Sequence, residues 1–207
     1  MATKMTPQAL RTREDSVLDA LENRQGDRTF RGRLYRDGVP SPEVYLLQPV
    51  RVLFVFREPN MPKQRPHDMR EEVRDHFFRP ITADGRREER SRRGWWNAKA
   101  GLFAHAVAAA LDGEPWKSAF HRFCEFDWNH EVVNRFAYVQ IKKVGGAGTA
   151  NAAEIRQHAE KYRDLIAQQI TLYQPNLVLG CGVGSDSPAR LLCDLVLLGG
   201  RRPPAFE

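Results

Sequence analysis

Cysteine is scarce in this chain of 207 residues: Cys124, Cys181 and Cys193 are widely separated and form no CxxC pair. An odd, scattered set excludes an even disulfide framework and a dithiol redox motif, so a reducing cytoplasm is expected. No apolar run approaches the roughly 20 residues that span a bilayer, and the opening Met1-Ala2-Thr3-Lys4 lacks a signal-type apolar core, so no membrane partner is expected. Internal repeats and low-complexity tracts are also missing. What is present is a hydrophobic share of 42% with 10% aromatics, enough for a substantial core and too much for global disorder. The length suits one domain with a peripheral extension: a helical and loop extension over 1–48, then an α/β domain over 49–207.

Charge is the second constraint. Thirty-two Lys and Arg against 26 Asp and Glu give a net charge of +6, which favours anionic partners, nucleic acid first. The excess gathers at Arg79, Arg86, Arg87, Arg90, Arg92 and Arg93, beside Asp84, Glu88 and Glu89. Alone, that segment reads as a solvated loop of mixed charge. Trp95-Trp96 follows it, and basic residues interleaved with aromatics suit phosphate contact with base stacking. Trp96 is expected inside the core, and Trp95 stays open between core and contact.

The elements alternate. A weakly amphipathic helix over 6–23 presents Leu10, Val17, Leu18 and Leu21, and a Gly/Arg/Pro-rich connection leads to Pro49. Residues 51–56 form a first strand, its run Val52-Leu53-Phe54-Val55-Phe56 apolar enough to be covered on both faces. A polar loop (61–65), a short helix near 69–78 and the basic loop precede a helical stripe of Leu102, Phe103, Ala106, Val107 and Ala110. Gly113 and Pro115 end that stripe. A second strand covers 135–141. Asn151 with Glu154 opens a helix in the manner of a capping box, and Ile155, Ala159, Tyr162, Ile166 and Ile170 line its apolar side. Pro175 stops it, 176–179 forms a third strand, and a last helix starts near Pro188. The fold class is α/β, with a central, mostly parallel sheet in a three-layer α/β/α arrangement.

Each strand ends in chemistry-bearing residues. After the first come Arg57-Glu58-Pro59-Asn60, where Pro59 stops the strand and presses Glu58 into an extended conformation. After the second come Gln140-Ile141-Lys142-Lys143, and after the third Gly180-Cys181-Gly182. If the strands are adjacent and parallel, all three ends share the carboxyl edge, where open α/β sheets bind ligands. Glu58 there can orient or deprotonate a water or stabilise a developing cation. Equally, it is a solvated loop carboxylate paired with Arg57. Gln140 can read the edge of a planar ring, offering a donor and an acceptor, or serve a structural hydrogen bond. Lys143 can hold a phosphate or an anionic leaving group. The loop Val144-Gly145-Gly146-Ala147-Gly148 resembles a phosphate cradle but lacks the GxxxxGK[ST] placement. His121, Cys124 and His130 lack the second tight pair of a zinc site, so no metal or other cofactor is expected.

The ordered set VLFVFREPN, FAYVQIKKVGG and AEIRQHAEKYRDLIAQQITLYQPNLVLGCG resembles the uracil-DNA glycosylase superfamily across about residues 50–182. In that family an Asp or Asn before a proline positions the attacking water, and Glu58-Pro59 takes that place. An Asn reads the base, followed three residues on by Lys in the iron–sulfur branch, and Gln140 and Lys143 reproduce that spacing. The resemblance implies a uracil-DNA glycosylase-like fold. Three wrongly spaced cysteines imply no cluster, and the family's late His-Pro-Ser motif has no counterpart, so that the chain is expected to be cut short or to replace that segment. Glu for Asp or Asn, and Gln for Asn, each reach one methylene further, which points away from plain uracil. Some relatives in phage defence act on bulky modified cytosines, including glucosylated hydroxymethylcytosine.

The resulting expectation is a monomeric DNA glycosylase that flips a modified base and hydrolyses its N-glycosidic bond, leaving an abasic site. Glu58 and Asn60 carry the chemistry, while Arg57, Pro59, Gln140 and Lys143 bind the base. Arg92, Arg93, Trp95, Lys142, Gly145 and Gly146 contact DNA. Phe77, Trp95 and Trp96 are candidates for the stacking wall. A non-catalytic DNA- or nucleotide-binding module of the same fold is the alternative. A nucleotide hydrolase or transferase is disfavoured by the lack of a metal-binding carboxylate set.

Overall fold

The computed structural model describes residues 5–24, 27–59, 66–76, 101–115, 117–118, 130–145, 151–182 and 187–197. Helix α1 (Pro7–Glu22) starts at Thr6, whose hydroxyl accepts from the Ala9 N–H, with Pro7 at the first helical position. Then come β1 (Tyr35–Arg36), α2 (Pro42–Leu46), β2 (Val52–Phe56), β3 (His67–Asp68) and α3 (Met69–His76). Helices α4 (Gly101–Leu111) and α5 (His130–Asn134) lead to β4 (Ala137–Gln140). Helices α6 (Ala152–Lys161) and α7 (Arg163–Tyr173) lead to β5 (Leu177–Gly180), and α8 (Pro188–Leu191) runs into a π-helical turn, Leu192–Leu197.

The main sheet has the order β4-β2-β5 and is parallel throughout, with Phe54 opposite both Tyr138 and Leu179. The five residues of β2 are all buried, as the central place requires. Their side chains alternate between two cores. Leu53 and Val55 join Ala137, Val139 and Ile141 with residues of α1, α6 and α7. Val52, Phe54 and Phe56 join Phe136 and Tyr138 with residues of α3, α4 and α5. The chain therefore leaves β2 over one face to reach β4, and leaves β4 over the other to reach β5. The protein is of the α/β class, and β2 and β5 flank the point where the winding reverses.

The N-cap half of the expected capping box is present, with the Asn151 side chain accepting from the N–H groups of Ala153 and Glu154, while the Glu154 carboxylate accepts from the Asn151 side-chain amide and from Lys142. The helix expected to run on towards Pro175 is interrupted at Tyr162, whose backbone (φ −115°, ψ 19°) separates α6 from α7. The phenol there donates to Asp27, and the apolar side of Ile155, Ala159, Tyr162, Ile166 and Ile170 is buried across the break. A left-handed Gln174 closes α7 ahead of Pro175.

The connection after α1 does more than link. It lies along the open edge of β4: Tyr138 N–H donates to the Gly38 carbonyl (3.0 Å), and Tyr35 N–H to the Lys143 carbonyl (2.8 Å). Leu10, Leu18 and Leu21 of α1 belong to the same core as β2 and β4. No helix among the described residues is long and apolar enough to cross a membrane.

Candidate functional site

The three carboxyl ends lie side by side because the backbone pairing continues past the strands. Ile141 N–H donates to the Phe56 carbonyl (2.9 Å), Lys142 N–H to the Arg57 carbonyl (2.9 Å) and Cys181 N–H to the Val55 carbonyl (2.7 Å). Strand alternation then decides which side chains meet. Phe54 and Phe56 face the aromatic core, so Glu58 shares their parity, as Gln140 and Lys142 share that of Tyr138.

Glu58 is nearly enclosed, its side chain 6% exposed, and its Oε2 accepts from the Lys142 ammonium at 2.7 Å. Lys142 also reaches Glu154 Oε2 at 2.9 Å, on the first turn of α6. Burial alone would depress the Lys142 pKa, but the bonds to Glu58 and Glu154 outweigh it and raise the value, keeping the ammonium charged. The same bond draws the Glu154 carboxyl below its ordinary value. Arg57 runs across the end of β5, where a Cβ on Gly182 would lie 3.5 Å from its Nε. Pro59 is buried. Gly180 permits the close approach behind this edge, since a Cβ there would stand 2.4 Å from the Ala189 Cβ.

Gln140 is 1% exposed, and its backbone is satisfied: the N–H donates to Asp37 and the carbonyl accepts from Lys143. Its side-chain amide is not. Neither Nε2 nor Oε1 has a hydrogen-bond partner among the described residues. An unmet buried polar group costs about 1–3 kcal/mol, and native proteins keep few of them. Donor and acceptor are thus both orphaned, at the carboxyl end of β4.

Lys143 turns the other way, and this corrects its reading as a phosphate or base ligand. Its parity is that of Val139 and Ile141, and its side chain is fully buried against the equally buried Asp37. The ammonium donates to both Asp37 oxygens (2.7 and 2.8 Å) and to the Gln140 carbonyl (3.1 Å). Three donors are thus used within the protein. Burial lowers its pKa, with Asp37 opposing. Asp37 further accepts from Gln169 Nε2 (2.9 Å), which also donates to the Tyr173 hydroxyl, and that hydroxyl donates to Glu14 (2.8 Å). Arg70 and Arg11 close on the other Glu14 oxygen at 2.6 and 2.7 Å. His158, adjoining Lys143, is held neutral: burial and then the charges of Lys143, Lys142 and Lys161 bring its pKa down to about 3.

The structure brings Glu58, Arg57, Pro59, Gln140 and Lys142 to one edge and buries Gly145 nearby in the chain. Asn60, Arg92, Arg93, Trp95, Trp96, Gly146, Phe77, His121 and Cys124 lie outside the described residues, as does the side chain of His130. Sequence reasoning did not single out Asp37, Glu14, Gln169 or the outward link from Lys142 to Glu154. Among the described residues, no group of three or more His, Cys, Asp and Glu side chains is placed to hold a metal ion.

The edge is the carboxyl edge of a parallel sheet, the place where open α/β sheets bind ligands and which many unrelated activities share. No protein-family model, curated protein or solved structure matches the chain.

Proposed function

We propose that the protein is a DNA glycosylase acting on a modified base flipped from the duplex. The observation that carries the reading is the buried, unbonded amide of Gln140 on the same edge as Glu58. A flipped base presents adjacent donors and acceptors on its Watson–Crick edge, which a carboxamide can meet with one bond each way. Lys142 takes Glu58 Oε2, leaving Oε1 to accept a proton from water. The water oxygen adds to C1′, the glycosidic electron pair leaves with the base, and the proton passes by way of Glu58 to the departing base. The net charge of +6 supports a polyanionic partner. Modified cytosine, rather than uracil, is the preferred base because both Glu58 and Gln140 are one methylene longer than the residues they resemble.

The enclosed, ion-paired state of Glu58 favours a second reading, a binding module of the same fold. Glu58→Gln separates the two. In a glycosylase it lowers abasic-site formation by about 10²–10⁴-fold and keeps duplex affinity. An unchanged yield of abasic sites removes Glu58 from the chemistry.

A further inference from the structure

We infer that Lys142 is a positioning residue, which aims Glu58, rather than a phosphate contact, and that Glu154 is the outer anchor holding it. The inference rests on the glycosylase reading above and deepens it. Three observations lead to it. The Lys142 backbone is fixed by its bond to the Arg57 carbonyl (2.9 Å), so the residue is locked beside the chain that carries Glu58. Its ammonium lies between Glu58 Oε2 (2.7 Å) and Glu154 Oε2 (2.9 Å), with the lysine side chain only 11% exposed. Two carboxylate oxygens already accept from the ammonium, so a phosphate approaching Lys142 must displace a formed bond to reach it.

The two anchors differ in kind. Glu58 is enclosed, while the Glu154 side chain is 56% exposed and stands on the first turn of α6, where Asn151 caps the helix. Holding Lys142 from both ends removes its rotamer freedom and fixes Oε2 of Glu58, which leaves Oε1 as the oxygen available to a water. Misplacement of a reacting group by about 1 Å can cost on the order of 10²-fold in rate. The link also ties the catalytic corner to the helix that follows the glycine-rich loop.

The test uses the full chain with short duplexes carrying uracil, hydroxymethylcytosine or glucosylated hydroxymethylcytosine. Duplex affinity is measured at several salt concentrations, and the rate is measured under single turnover with saturating protein. Lys142→Met is expected to lower the rate by about 10–100-fold with the affinity and its salt dependence unchanged. Lys142→Arg is expected to restore part of the rate. Glu154→Gln, on an exposed site that tolerates exchange, is expected to lower the rate a few-fold with duplex affinity unchanged. A loss of rate at constant affinity, partly restored by Lys142→Arg, is not what a purely structural role produces.

If Lys142→Met instead weakens binding and flattens the salt dependence by about one charge, Lys142 is a phosphate contact and the inference fails. A Lys142→Met rate within twofold of wild type also overturns it. A Glu154→Gln rate equal to or above wild type removes the outer anchor. If the wild-type protein leaves no abasic site in any duplex, the glycosylase reading itself falls, and the inference with it.

Discussion

Replacing Lys143 by Met decides between a ligand-binding and a structural lysine. The side chains of Lys143 and Asp37 are both wholly buried, with the ammonium bonded to both carboxylate oxygens. Methionine keeps most of the volume and removes the charge, leaving Asp37 buried with, among the described residues, only the Gln140 N–H and Gln169 Nε2 bonded to its carboxylate. Removing one partner of a buried pair costs about 3–5 kcal/mol, because the remaining charge is uncompensated. Losing the Lys143 bond to the Gln140 carbonyl falls within that range. Against a typical domain stability of about 5–15 kcal/mol, the loss is large. It corresponds to a fall in Tm of roughly 6–20 °C, at about 2–4 °C per kcal/mol for this chain length. Urea unfolding followed by circular dichroism reads it directly, and adding Asp37→Asn recovers most of the loss. A single-variant loss below about 1 kcal/mol would refute the reasoning. Duplex affinity of the folded variant is expected to stay at the wild-type level.

Gly38→Ala attacks the same network from the backbone. Gly38 has φ +141°, and an added Cβ would stand 2.0 Å from Glu14 Oε1 and 2.7 Å from the Tyr173 hydroxyl. Denaturant unfolding is expected to show a loss of at least about 3 kcal/mol, from backbone strain and displaced buried charge together. For His158, the native pKa of about 3 lies below the unfolded value. Below about pH 6.5 the unfolded chain therefore takes up the proton first, and stability falls as pH falls, by about 1.4 kcal/mol per unit until near pH 3. Between pH 7.5 and 5 the wild type should lose about 2 kcal/mol more than His158→Phe; equal losses would contradict the buried, neutral ring. Among the thiols, burial pushes Cys181 up to about 12, whereas Cys193 is exposed. Iodoacetamide at pH 8 with peptide mass analysis should modify Cys193 well ahead of Cys181.

Much of the fold was legible because local signals agreed with tertiary context. The run Val52 to Phe56 is wholly buried, as its unbroken apolarity requires, and Asn151 caps a helix as its spacing with Glu154 implies. Lys143 was misread although a signal was available. Residues 137, 139 and 141 face one core, so period two carries Lys143 to that side and leaves Gln140 and Lys142 opposite. Motif spacing taken without strand parity put Gln140 and Lys143 in one site. The Asp37–Gln169–Tyr173–Glu14 network was not legible: Gln169 is 132 residues from Asp37, and Tyr173 is 159 from Glu14. No local pattern signals partners at such separation. The segment around Gly38 lacks strand periodicity because a side-chain carboxylate and isolated backbone bonds, not a full ladder, cover the β4 edge.

The central claim is that the orphaned Gln140 amide reads a base whose glycosidic bond is then broken beside Glu58. The most direct measurement incubates wild-type protein and Gln140→Ala with duplexes carrying uracil, hydroxymethylcytosine or glucosylated hydroxymethylcytosine, and scores alkali-labile strand breaks. Breaks at a modified cytosine are expected with the wild type, strongly reduced by Gln140→Ala although unmodified duplex is bound equally. No breaks with any duplex, or equal breaks with both proteins, would contradict it.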